Sequence, residues 1–161
     1  MDVLIKGGRL VRPEGSIEAD IFLSEGKIAA VAEGLAMAAQ QVVDARGCLV
    51  FPGFIDGHTH FALDNGMVIS PDDFSMGTGA AILGGTTSIL DFATQSRGKT
   101  LEEALEQWQA KAHQRSSCDY GFHMALTDWN ETTARELAVM VEEGITSFKV
   151  KGLSTAGSSF E

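Results

Sequence analysis

Short apolar runs broken by turn residues open the chain. Val3-Leu4-Ile5 precedes Gly7-Gly8, and Arg9-Leu10-Val11 precedes Pro13-Glu14-Gly15. Residues 19–23 and 27–31 flank Ser24-Glu25-Gly26, which predicts a hairpin. Residues 41–44 and 48–50 flank Ala45-Arg46-Gly47. Residues 1–50 therefore read as a small all-β segment, a portion of a β-sandwich.

From residue 51 the rhythm changes, and strand-like and helix-like segments alternate. The apolar lead-in at 49–55 reads as a buried strand broken by Pro52-Gly53, with residues 51–55 as the first strand of the new region. Ser70-Pro71-Asp72-Asp73 predicts a helix start, with Ser70 as cap and Pro71 at the first position. That helix carries Phe74, Ala81 and Ile82 and stops at Gly84-Gly85. Residues 86–92 form a second strand. Thr100-Leu101-Glu102-Glu103 is a capping box, followed by Leu101, Leu105, Trp108 and Ala112 at helical spacing. Residues 119–126 form a third strand. A helix over 131–143 places Ala134, Leu137, Ala138 and Val141 on one face, with Gly144 at its C-cap, and 145–150 is a fourth strand.

This β-α-β-α-β-α-β order implies parallel strands joined by helical crossovers. Four such strands suit either the first half of a (β/α)8 TIM-like barrel or a small doubly wound sheet. Neither the dinucleotide fingerprint nor a P-loop occurs, and Gly84-Gly85 closes a helix where a phosphate loop would open one.

Composition narrows the partners. The chain has 161 residues, 44% of them apolar and 21% charged, as in an ordinary soluble globular protein. Its formal net charge is −10 with no Lys/Arg cluster, which argues against a nucleic-acid backbone or an anionic membrane surface. No apolar run approaches membrane-spanning length and the N-terminus lacks a signal-like apolar stretch, so a cytoplasmic location is expected. Cys48 and Cys118 show no ligand spacing and are expected to be free, buried thiols of a reducing compartment.

The candidate chemistry lies in Asp56-Gly57-His58-Thr59-His60. On an extended chain residues i and i+2 share a face, so His58 and His60 would converge at a strand end. Neutral imidazole is a common ligand for zinc-like metals; the bland alternative is two polar residues closing a strand. Lys149 sits inside an apolar run, where it either snorkels to solvent or faces a site. In a (β/α)8 barrel functional groups collect at the C-terminal strand ends, where strands one and four can both reach a central metal.

Gly53-Phe54-Ile55-Asp56-Gly57-His58-Thr59-His60 resembles the strand-one signature of the amidohydrolase superfamily. Asp72-Asp73-Phe74, Gly84-Gly85-Thr86-Thr87-Ser88-Ile89-Leu90-Asp91-Phe92, Asp119-Tyr120-Gly121-Phe122-His123 and Glu143-Gly144-Ile145-Thr146-Ser147-Phe148-Lys149 resemble its dihydropyrimidinase and hydantoinase branch. The motifs occur in the family's order over residues 1 to about 150. The resemblance implies a binuclear centre, usually Zn2+. His58 and His60 would hold the more buried metal, and Lys149, as N6-carboxylysine, would bridge both. A carbamate turns a cation into an anionic bridge between two dications, and forming it needs a neutral amine. Such a centre polarises a carbonyl and activates water, opening a cyclic amide. Dihydroorotases carry an Arg two residues after the His-x-His for a substrate carboxylate. Here Phe61-Ala62-Leu63-Asp64 follows, so a neutral dihydropyrimidine or 5-substituted hydantoin fits better, with Phe61 a candidate for the substrate pocket or for the core. The family also implies a homo-oligomer, commonly a tetramer.

Family chains are far longer than this one. Their remaining ligands, two histidines and an aspartate that shuttles the proton, come from later strands. His113 reads as solvated on a helix, and His123 as a packed, hydrogen-bonded strand residue. Residues 151–161 are Gly/Ser-rich and linker-like, and they depart from the family. The chain's one tyrosine, Tyr120, does not replace the family's oxyanion tyrosine, so the catalytic residues proper are unknown. The expectation is a truncated chain with three parts: 1–50, 51–150 and a divergent tail at 151–161. Half a barrel leaves strands one and four as open edges, and the isolated 161 residues should be inactive. Two rivals are a non-catalytic dihydropyrimidinase-related scaffold, discriminated by metal content, and an allantoinase, discriminated by substrate.

Overall fold

The structure, a computed structural model, describes residues 1–64 and 69–151. The chain divides into two compact units at Pro52/Gly53. Among the described residues, no helix is long and apolar enough to cross a membrane. The tail expected at 152–161 lies outside the described residues.

The first unit is a five-stranded mixed sheet. It comprises β1 (Val3–Arg12), β2 (Gly15–Ser24), β3 (Lys27–Ala32), β4 (Gln41–Asp44) and β5 (Leu49–Val50), in the order β3-β2-β1-β4 with β5 also on β1. β1 joins the two runs expected at 3–5 and 9–11 into one strand, bulged between Ile5 and Gly8. The buried Asp20 carboxylate holds that bulge by accepting the Gly7 N–H at 2.7 Å and the Leu35 N–H at 2.9 Å. The β2–β3 hairpin turns on Glu25 and Gly26, both at positive φ, as a two-residue primed turn requires. Leu10, Ala19 and Ile21 form the centre of one packed face. A sandwich has two such layers, and these residues supply one.

The second unit is a parallel sheet in the order β6-β7-β8-β9 with helical crossovers. Its elements are β6 (Phe54–Thr59), α1 (Phe74–Leu83), β7 (Thr86–Thr94), α2 (Leu101–Ala112), β8 (Asp119–Leu126), α3 (Glu131–Glu142) and β9 (Phe148–Val150). This is the first half of a (β/α)8-type barrel. The core gathers Phe74, Ile89, Leu101, Leu105, Trp108, Met124, Leu126 and Met140. α2 follows its sequence pattern: Leu101, Leu105, Trp108 and Ala112 are buried and the Thr100–Glu103 capping box is formed.

Several boundaries differ from the sequence expectations. The lead-in at 49–55 is split, with Leu49–Val50 in the first sheet and Phe54–Thr59 in the second. Gly53 marks the break, since a Cβ there would lie 2.0 Å from Thr87 Oγ1. The strand is not buried: Phe54 and Ile55 are 53% and 71% exposed, because β6 is an edge strand with one neighbour among the described residues.

The helices differ in detail too. The cap of α1 is Asp73, whose Oδ1 accepts the Met76 N–H at 2.9 Å. Ser70 instead accepts the Leu63 N–H at 3.0 Å, so Ser70 and Pro71 belong to the preceding loop. Phe74 is buried but Ile82 is exposed. α3 turns Thr133, Leu137 and Met140 inward, leaving Ala134, Ala138 and Val141 exposed, because Met140 takes the core position. β9 keeps only three residues of the strand expected at 145–150. Both cysteines are free, but neither is buried: Cys48 is exposed and Cys118 half-buried, since each lies in the turn ahead of a strand.

Candidate metal site at the strand ends

The end of β6 carries a bulge. Its pairing with β7 passes from Asp56↔Ile89 directly to Thr59↔Asp91, skipping Gly57 and His58. One extra residue on β6 bends the strand and re-aims the side chains that follow. The His58 N–H turns back onto Asp56 Oδ1 at 3.1 Å. The His58 and His60 rings meet edge to face with centroids 5.1 Å apart, and their Nε2 atoms are 3.2 Å from each other.

That separation fits a shared cation. A zinc-like ion about 2.1 Å from both nitrogens would subtend roughly 100°, close to tetrahedral. Burial pushes the His60 imidazole below its ordinary value, against the opposing pull of Asp91, while His58, Lys149 and Lys151 add to the lowering. The neutral, ligating form is thereby favoured. Nδ1 of His60 is buried without a hydrogen-bond partner among the described residues.

Phe92, on β7, is the floor of the site. The rings of His58, His60 and His123 lie 4.6, 4.9 and 4.8 Å from its centroid, and Lys149 Nζ lies 4.7 Å above it. Four chemistry-bearing side chains, from the end of β6, from β8 and from β9, thus lie within 5 Å of the centre of one aromatic ring. Lys149 is half-buried; as an ammonium it is held there by the ring's quadrupole.

Asp91, fully buried beside Phe92, sets the position of the β6 end. Its Oδ2 accepts from the Thr59 hydroxyl at 3.0 Å and the Phe61 N–H at 2.8 Å, the residues on either side of His60. Its Oδ1 accepts from the Phe92 N–H at 2.7 Å and from Trp108 Nε1 at 3.2 Å. Lys111 caps the arrangement, with Nζ over the Trp108 ring and donating to the Ala62 carbonyl at 3.0 Å.

The Phe61 side chain packs edge to face on Phe74, with centroids 5.6 Å apart, and against Gly77 of α1, joining the core. His123 is hydrogen-bonded through both ring nitrogens, to the Ser147 hydroxyl and to the Gly57 carbonyl. His113 is exposed at the C-cap of α2, away from the histidine pair. Among the described residues, no group of three or more His, Cys, Asp or Glu side chains could hold a metal, so the pair and Lys149 are a partial donor set. Sequence reasoning named Asp91, Phe92 and Ser147 only within family-like motifs and gave them no role. The available signal was Asp91 itself, a carboxylate interrupting the apolar strand Ile89-Leu90-Asp91-Phe92.

A family model described as "Amidohydrolase family" matches residues 41–89. The D-hydantoinase of Streptomyces coelicolor is 44% identical over 151 residues, covering 91% of this chain and 32% of that protein. The dihydropyrimidinase of Dictyostelium discoideum is 41% identical over 149 residues, covering 91% of this chain and 30% of that one. A solved D-hydantoinase structure superposes with a TM-score of 0.91 at 39% identity, over 100% of this chain and 35% of the other. The chain spans about a third of the length of the curated relatives it matches.

Proposed function

We infer that this chain, which matches the N-terminal portion of the D-hydantoinase and dihydropyrimidinase branch of the amidohydrolases, contributes the first metal-binding half of a hydrolase that opens cyclic amide rings. The observation that carries this reading is the convergence of His58 and His60, Nε2 to Nε2 at 3.2 Å, with Lys149 Nζ beside the same Phe92 ring. His58, His60 and Lys149, the last as N6-carboxylysine, would hold a binuclear zinc centre. Zinc bound there supplies Lewis acidity for a carbonyl oxygen and for an attacking water.

The chain's own residues orient that chemistry. Asp91 pins the peptides flanking His60, and the Phe92 ring packs against the three imidazoles. The substrate class is a neutral cyclic amide, a dihydropyrimidine or 5-substituted hydantoin, since Ala62 stands two residues after His60, where an arginine would hold a carboxylate. The 161 residues alone bind at most one metal weakly and do not turn over, because they present only two histidines to it. The complete enzyme is a cytoplasmic homo-oligomer. A retained histidine pair with ligating geometry favours this reading over a metal-free scaffold.

The test is a chimera in which residues 1–151 replace the matching portion of the Streptomyces coelicolor D-hydantoinase. With zinc it should open dihydrouracil or a 5-substituted hydantoin faster than allantoin, and His58→Ala or His60→Ala should abolish turnover. A folded, zinc-loaded chimera that opens none of these rings would refute the reading.

A further inference from the structure

We infer that His123 is a positioning residue that ties the backbone of His58 to the segment carrying Lys149. The inference rests on the metal-site reading above. In the sheet order β6-β7-β8-β9, β6 and β8 are not neighbours. His123 nevertheless reaches over β7, packing tilted against Phe92 with centroids 4.8 Å apart, to place Nε2 3.0 Å from the Gly57 carbonyl. A carbonyl oxygen can only accept, so Nε2 carries the proton. In the neutral ring Nδ1 is then an acceptor, and the Ser147 hydroxyl donates to it.

Both ends of this strap matter. Gly57 directly precedes His58 and lies in the bulge, where β7 offers β6 no in-register partner. His123 therefore supplies, from two strands away, a restraint that the ladder omits. Ser147 stands two residues before Lys149, and its own carbonyl accepts the Met124 N–H at 3.0 Å, next to His123. One imidazole thus sets the spacing between the histidine pair and the lysine. With both nitrogens engaged, His123 is not itself a free ligand. Partners that orient metal ligands typically change metal affinity by about 10–100-fold when removed.

Three substitutions separate the parts of this strap. His123→Gln keeps an N–H donor near the Nε2 position, toward Gly57. His123→Asn keeps polarity near Nδ1 and loses Gly57. His123→Phe keeps the aromatic packing alone. Zinc titration of the 161-residue chain, with circular dichroism as the folding control, should show Asn and Phe weakening affinity by about 10–100-fold and Gln restoring it to within about threefold. Equal affinity in all four proteins would overturn the inference; if the Phe variant fails to fold, the Asn–Gln pair decides. If the unsubstituted chain binds no zinc, the chimera alone tests the metal-site reading, and imidazole nitrogen NMR of the metal-free chain decides the role of His123. The expected spectrum has His123 protonated at Nε2 only, with His58 resonances displaced in the Asn variant and restored in the Gln variant. The opposite tautomer, or His58 resonances indifferent to every substitution, would overturn it.

Discussion

Replacing Asp91 tests the internal support of the site most directly. The side chain is completely buried and accepts four hydrogen bonds: two from backbone N–H groups, one from a hydroxyl and one from an indole. Asp91→Ala leaves those donors facing a cavity too small to hydrate each of them. A buried donor without a partner costs about 1–3 kcal/mol, and rotation lets the Thr59 hydroxyl find another acceptor. Counting chiefly the two backbone groups and the indole, the loss is about 3–5 kcal/mol. That is a large part of the roughly 5–15 kcal/mol a domain commonly has. Asp91→Asn keeps one carbonyl oxygen and turns an amide toward the other pair of donors, so it should cost roughly half as much. The assay is urea unfolding followed by the fluorescence of Trp108, in a Trp129→Phe background so that the reporting indole is the one bonded to Asp91. A loss below about 1 kcal/mol for the alanine variant, with unchanged Trp108 emission, would refute the claim that this carboxylate holds the end of β6.

Other outcomes follow from the same structure. In α1, Gly79→Ala should stabilise by up to about 1 kcal/mol because nothing lies within 4 Å of the new methyl, whereas Gly77→Ala places one 2.1 Å from the Phe61 ring and should destabilise by about 1–3 kcal/mol; thermal melts of the two variants should move in opposite directions. The Arg46 guanidinium holds the Asp44 carboxyl down at about 2 from an ordinary 3.8, so whatever stability the pair adds is present above about 3.8 and is lost as pH falls from there toward 2. Because both side chains are exposed, the effect is read by NMR titration, where Arg46→Gln should return the Asp44 midpoint toward 3.8. Cys48 should react with a thiol reagent before Cys118, whose thiol is pushed up by burial and by neighbouring Asp119; equal rates would contradict the placement of Cys118.

The sequence determined the alternation of strands and helices from residue 51, the amphipathic face of α2 and the presence of a histidine pair. Each is written in local terms: period, cap residues and spacing within a few positions. It did not determine where β6 begins, because the short apolar stretches on either side of Pro52-Gly53 carry no period, and only their pairing, β5 on β1 and β6 on β7, shows the chain leaving one sheet for the other. Nor did it show the inward face of α3. There Met140 outcompetes the Ala134, Ala138 and Val141 stripe through contacts with residues distant in sequence.

At the site the division is sharper. The identities of His58, His60 and Lys149 were legible, whereas their meeting was a tertiary event. A bulge re-aims His58, a buried Asp91 fixes the peptides around His60, and the Phe92 ring packs against groups brought by three other strands. Short-range pattern reports what each residue can do. Which residues do it together depends on strand order and register, set by packing and hydrogen bonds between segments 30 or more positions apart.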